Sequence, residues 1–241
     1  MCVNVLNNKK RLLMSNEYDT RIKHFRNLIC KSFVYSVSLQ KIYVMEFYMK
    51  ASYEISKIKA MVLYILKESG GTLDFITLFK NMYFSQREFL VKFGRPLFKD
   101  SFRAVKLGPV PSFTYAAFSY ALNDFVDATE DIKQFDSSFQ VEEKDKVRYV
   151  TAVEEPDMDE LAVAEVRIIN QILEENKGKS AQELSTISHE DKAWQAANRR
   201  AKDDPRDNYM SLVNIARAGG ANEKILEHIR QSQAFEAFCK E

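Results

Sequence analysis

The stretch TLDFITLFKNMYFSQREFLVKFG, residues 72–94, decides the architecture. Phe75, Ile76, Phe79, Met82, Tyr83, Leu90 and Val91 recur at steps of three and four, the period of an α-helix. Gly94 followed by Pro96 supplies a stop and Thr72 is placed to cap the start, which predicts a helix of about five turns. Upstream, Ile55, Ile58, Met61, Val62, Ile65 and Leu66 trace a second amphipathic helix that begins near Tyr53 and ends at Gly70-Gly71. These two helices are expected to form the core pair.

Downstream the pattern loosens. Residues 101–107 mix β-branched and aromatic residues between Gly-Arg-Pro and Gly-Pro-Val-Pro, which predicts a short strand or an irregular bridge. Ser112 opens a helix with Tyr115, Phe118, Ala121, Leu122 and Phe125 on one side. Phe139 and Val141 face Val147, Tyr149, Thr151 and Val153 across the polar turn Glu142 to Lys146, as in an antiparallel hairpin. Pro156-Asp157 with Glu160 predicts a helix start, continued by Leu161, Val163, Ala164, Val166, Ile168, Ile169 and Ile172 to Gly178. Ser180 with Glu183 is a second capping box, and Ser188 with Asp191 is expected to open a helix through Trp194. Trp194 is expected to pack on the helix of Leu161 to Ile172. From Tyr209 to Phe238, short apolar runs around Ala218-Gly219-Gly220-Ala221 suggest a loose helix pair. The fold class is therefore mainly α (α+β), a helical core with two or three short strands in a small antiparallel sheet or hairpin. Three parts are read along the chain: a basic extension over 1–50, a domain over 51–204, and a helical tail over 205–241.

Charge separates these parts. Residues 1–50 hold nine Lys/Arg against three Asp/Glu, which leaves 26 against 31 for residues 51–241. The extension is read in two ways: a start at an internal methionine (Met14, Met45 or Met49), or a basic, partly helical arm. A slightly acidic body has no field that draws in phosphates, so duplex DNA is disfavoured as a partner. Cys2, Cys30 and Cys239 are too widely spaced for a CxxC metal pair or a disulfide framework. No signal-peptide core follows Lys9-Lys10-Arg11, and Phe33 to Met49 is broken by Gln40, Lys41 and Glu46, so no membrane span is read there. A cytoplasmic location is expected.

No catalytic constellation emerges. His24, His189 and His228 stand in separate regions, and the nucleophile elbow, the phosphate loop and the dinucleotide turn are absent. His189-Glu190 begins like a zinc-protease helix, but Ala193 occupies the second histidine's place. The carboxylate pairs Asp157/Asp159 and Asp203/Asp204 are explained by helix ends and solvated faces. Two segments stand out. Gly108-Pro109-Val110-Pro111 reads as a stiff turn, either a rigid strand-to-helix connection or a presented recognition edge. Leu184 to Trp194 carries the only tryptophan beside His189, and such a Trp is either core or an interface anchor. Gly108, Pro109, Val110, Pro111, His189 and Trp194 are the candidate partner-binding residues; no cofactor and no metal is expected.

Taken in order, these segments carry a resemblance. Thr72 to Gly94 with Arg95-Pro96-Leu97, then Asp100-x-Phe102-x-Ala104, Gly108-Pro109-Val110, and finally Leu184-Ser185 with Ser188-His189 and Trp194, resemble the Panacea or SocA-like antitoxin domain, whose family includes phage-associated proteins of the GepA type. The resemblance covers roughly residues 53–200. It implies a non-enzymatic antitoxin that binds and neutralises a cognate protein toxin encoded by an adjacent gene, in some members by delivering it to a protease. The competing class is a winged-helix-like DNA-binding regulator of a phage or mobile element, with the hairpin as wing and Asn198-Arg199-Arg200 touching phosphate.

Overall fold

The computed structural model of the chain describes residues 54–122 and 129–239. The basic extension over 1–50, the expected helix start at Tyr53 and Phe125 lie outside the described residues. Helix α1 covers 54–68 and its apolar stripe is buried, with Met61, Val62, Ile65 and Leu66 fully enclosed. Strand β1 (Thr72–Asp74) then leads directly into α2 (Phe75–Phe93).

Helix α2 is the axis of the molecule. It ends as expected, Gly94 adopting the left-handed conformation at φ 65° while its N–H bonds the Leu90 carbonyl. Its start differs from expectation. Asp74, not Thr72, caps it, accepting from the Thr77 N–H at 2.9 Å and the Thr77 hydroxyl at 2.6 Å. Thr72 is held instead in β1, where its hydroxyl meets that of Thr151 at 2.8 Å. A carboxylate two residues later is the stronger acceptor for orphan N–H groups, and it frees Thr72 for strand pairing. Unlike a surface helix, α2 buries polar positions too: Lys80, Asn81, Ser85 and Gln86 are enclosed with the apolar ones. Gln86 earns its place by closing the loop after α2, its Oε1 accepting from Leu97 N at 2.8 Å and Phe98 N at 3.3 Å.

Among the described residues six short strands form two three-stranded antiparallel sheets, more strands than expected within the same mainly α class. In the first, β5 (Val147–Ala152) pairs with both β1 and β4 (Phe139–Lys144), with Lys144 opposite Val147 across the left-handed pair Asp145 and Lys146. The predicted hairpin is present, extended by the β1 strand. In the second, β2 (Phe102–Val105) lies between β3 (Gly108–Pro111) and β6 (Tyr209–Met210). Gly108 to Pro111 is therefore a strand, and the turn falls on Lys106-Leu107. Pro109 and Pro111 are compatible with pairing because β3 is an edge strand.

Helix α3 (Ser112–Ala121) follows β3 without a gap, and its N-cap position, Pro111, has no capping side chain. Asp100 reaches across to do that work: its carboxylate accepts from Phe113 N at 2.8 Å, Thr114 N at 3.0 Å and the Thr114 hydroxyl at 3.0 Å. Phe118 on α3 joins an aromatic cluster, 5.4 Å from Phe75, 5.2 Å from Phe139 and 5.8 Å from Phe135 of α4 (Glu130–Asp136), measured between ring centroids.

Two helix starts are corrected. Asp157 caps only a 3-10 turn, Met158–Glu160, and α5 (Val163–Asn176) begins later. There Glu165 turns back to the Ala162 N–H at 3.0 Å while the same buried carboxylate binds Lys57 of α1 at 2.7 Å, a link between helices that Glu160 has no position to make. Ser180 and Glu183 do form the capping box of α6 (Ala181–His189). Ser188 lies inside α6, its hydroxyl on the Ser185 carbonyl, and Asp191 alone caps α7 (Lys192–Asp203). Asp191 also binds Arg87 of α2 at 2.8 Å. The final helices, α8 (Leu212–Ala218) and α9 (Glu223–Phe238), are tied in by the buried Ile215, Ala216, Leu226 and Ile229.

Candidate functional site, a braced hairpin beside an apolar groove

The β2–β3 hairpin is held from behind by side chains of three helices. Trp194 of α7 donates its indole Nε1 to the Val105 carbonyl at 3.2 Å. Ser185 of α6 donates to the Leu107 carbonyl at 3.1 Å. Lys80 of α2 donates to the Pro109 carbonyl at 3.0 Å. Carbonyls 105, 107 and 109 are thus fixed in alternation, and His189 bonds the backbone of Lys106 between them. Each such bond contributes about 1 kcal/mol net, but together they remove the freedom a two-residue turn would otherwise have.

Space behind the hairpin is tight. Gly108 sits at φ +101°, and a Cβ there would come within 2.7 Å of Lys80 Cε and collide with the Ser188 hydroxyl. A residue other than glycine is excluded both by backbone conformation and by volume. Lys80 itself is 1% exposed, and burial pushes its amine down to about 7, against a weaker opposing pull from Asp74. Burial also lowers the His189 imidazole below its ordinary value, with the Lys80 charge acting in the same direction. The His189 ring lies 4.2 Å from the Trp194 ring, centroid to centroid, and its Nε2 is enclosed with no hydrogen-bond partner among the described residues.

In front of the hairpin runs a groove of about 740 Å³ between β2–β3, the start of α2, α3 and the β4–β5 turn. Its floor is Phe75, Ile76, Phe79 and Val110. Four large apolar side chains on its walls remain exposed: Val105 at 37%, Leu107 at 46%, Tyr115 at 39% and Val147 at 41%. The cavity has the size and hydrocarbon character of a binding cleft.

The candidate residues divide by this geometry. Val110 lines the groove, half-buried, while Gly108, Pro109 and Pro111 are buried backbone of the edge strand. His189 and Trp194, both half-buried, brace the hairpin from the other side. Trp194 does not take the expected place on α5; it sits where α7 packs on β2. Sequence reasoning missed Lys80, Leu107, Tyr115 and Val147 as site residues. Lys80 had a signal, a lysine one step from Phe79 on the apolar stripe of the central helix; the others are brought to one groove by the β2–β3 hairpin, α3 and the β4–β5 turn. Arg200, considered for phosphate contact, is committed to Asp207 at 3.1 Å and the Tyr209 carbonyl at 2.6 Å. Among the described residues there is no cluster of His, Cys, Asp or Glu that could hold a metal, and no helix is long and apolar enough to cross a membrane.

The Gly108 to Pro111 and Leu184 to Trp194 segments thus meet at a braced hairpin that fronts an apolar groove. Residues 78–195 match the family described as Antitoxin SocA-like, Panacea domain. No curated protein and no solved structure matches the chain.

Proposed function

We propose that the protein captures and neutralises a cognate protein toxin, the product of an adjacent gene, by seating part of it against the β2–β3 hairpin and its groove. The observation that carries this reading is the bracing of carbonyls 105, 107 and 109 by Trp194, Ser185 and Lys80. Rigidity of this kind lowers the entropy lost on binding, so the exposed Leu107 and the half-buried Val110 can act as preorganised anchors. Occlusion of the toxin by capture requires no chemistry from the chain, and the same capture would serve delivery of the toxin to a protease.

A protein partner is favoured over DNA by the groove's hydrocarbon floor and by the commitment of Arg200 to intramolecular bonds. The test is co-expression. The adjacent gene product alone should arrest growth, and this chain should restore it. A harmless neighbour, or rescue that survives removal of residues 78–195, contradicts the reading.

A further inference from the structure

We infer that the groove receives an acidic amphipathic segment, its aliphatic or aromatic side chains on Leu107, Val110 and Tyr115 and its carboxylates facing Arg103, Lys106 and Lys146. The inference rests on the reading of the chain as a protein-capturing antitoxin and names the chemistry of what is captured.

Charge at the groove runs against the rest of the body. Residues 51–241 hold 26 Lys/Arg against 31 Asp/Glu, yet the groove is lined by five Lys/Arg side chains, Lys80, Arg103, Lys106, Lys146 and Arg148, and one Asp, Asp74. Some of these are committed. Asp74 caps α2, Lys80 bonds Pro109, and Arg148 pairs with Glu143 at 2.9 Å. Lys106 and Lys146 are exposed and form no ion pair among the described residues, and Arg103 donates only to the neutral Asn208 amide, at 3.2 Å. Three cations are therefore left facing the opening of an apolar cleft.

Hydrocarbon floor and cationic rim together select the ligand. A bare anion would gain nothing from Phe75, Ile76, Phe79 and Val110, and a neutral apolar segment would leave the rim unpaired. A nucleic acid needs a run of cations along its phosphates or open aromatic faces for its bases, and Tyr115 is the only exposed ring among the lining residues. An amphipathic acidic segment satisfies both halves at once. Its rim charges would speed and orient the encounter while its apolar anchors hold the complex.

Fluorescence anisotropy with the full chain decides the matter with three labelled probes: a peptide repeating Glu-Leu-Glu-Phe, its charge-inverted counterpart repeating Lys-Leu-Lys-Phe, and a DNA duplex. The acidic peptide should bind, with affinity falling as salt is raised, and Lys106→Glu with Lys146→Glu should weaken it by about tenfold. The basic peptide and the duplex should not bind at the groove. The inference is overturned if the acidic peptide fails to bind, if its binding ignores both reversals, or if the duplex binds and loses affinity through them. Because the probes are independent of any neighbouring gene, a harmless neighbour would contradict the toxin reading alone.

Discussion

The Lys80 amine donates to the Pro109 carbonyl at 3.0 Å, joining the centre of the most buried helix to the edge strand beside the groove. A lysine in such a place must shed its charge or bear the cost of desolvating it. Its pKa falls from 10.5 to about 7 in the folded chain. The unfolded chain therefore holds the proton between pH 7 and 10.5 while the folded one has lost it, so stability from this group rises with pH across that window. Relative to Lys80→Met, the wild type should gain roughly 2 kcal/mol between pH 7 and pH 9 in urea unfolding. A difference that stays flat over that range would show the amine to be charged and solvated.

Gly108→Ala should destabilise the protein by about 2–4 kcal/mol, combining a strained left-handed alanine with the contact against Lys80 Cε and the Ser188 hydroxyl. Thermal unfolding reads this directly. The double variant Gly108→Ala, Ser188→Gly should recover part of the loss, because it removes the collision with the Ser188 hydroxyl and leaves the Lys80 contact and the backbone strain.

Trp194 is the sole tryptophan, so its fluorescence reports one environment. With the His189 ring tilted against the indole at 4.2 Å between centroids, protonation of the imidazole should quench the indole. Burial and the Lys80 charge lower the His189 pKa, so quenching should set in only below pH 6.5, the ordinary histidine value. His189→Gln should abolish the titration. Quenching centred at or above the ordinary value would place the ring in open solvent.

Asp100 supplies three bonds to the first turn of α3. Asp100→Ala should cost about 2–3 kcal/mol, since two N–H groups and a hydroxyl lose their buried acceptor and Pro111 offers no replacement. Asp100→Asn should cost less, one amide oxygen remaining as acceptor. Equal losses for the two variants would mean that charge, not hydrogen bonding, holds the helix start.

Those cases also show what could be read along the chain. Gly94 and the Ser180/Glu183 box were legible because a helix stop and a capping box are local, written within four residues. Asp100 capping a helix that begins at residue 112 was not, because the partner is supplied by the strand pairing of Phe102 with Pro111. The same holds for the site. Gly108-Pro109-Val110-Pro111 and Trp194 could be singled out by residue type, but the sequence carries no sign that Trp194 serves the Val105 carbonyl 89 positions away. Prolines suggested a turn, and only an edge strand, whose outer side needs no N–H, reconciles them with sheet pairing.

The central claim, capture of a protein toxin at the hairpin and its groove, is tested most directly by titrating the adjacent gene product into purified chain, wild type and Val110→Asp, in a calorimeter. Val110 lines the groove half-buried, so an aspartate can stay hydrated in the free protein but would be desolvated and unpaired in the complex. The account predicts binding by the wild type, at least a tenfold loss of affinity in Val110→Asp, and thermal unfolding within a few degrees of wild type. Undiminished affinity in a folded Val110→Asp protein would contradict it.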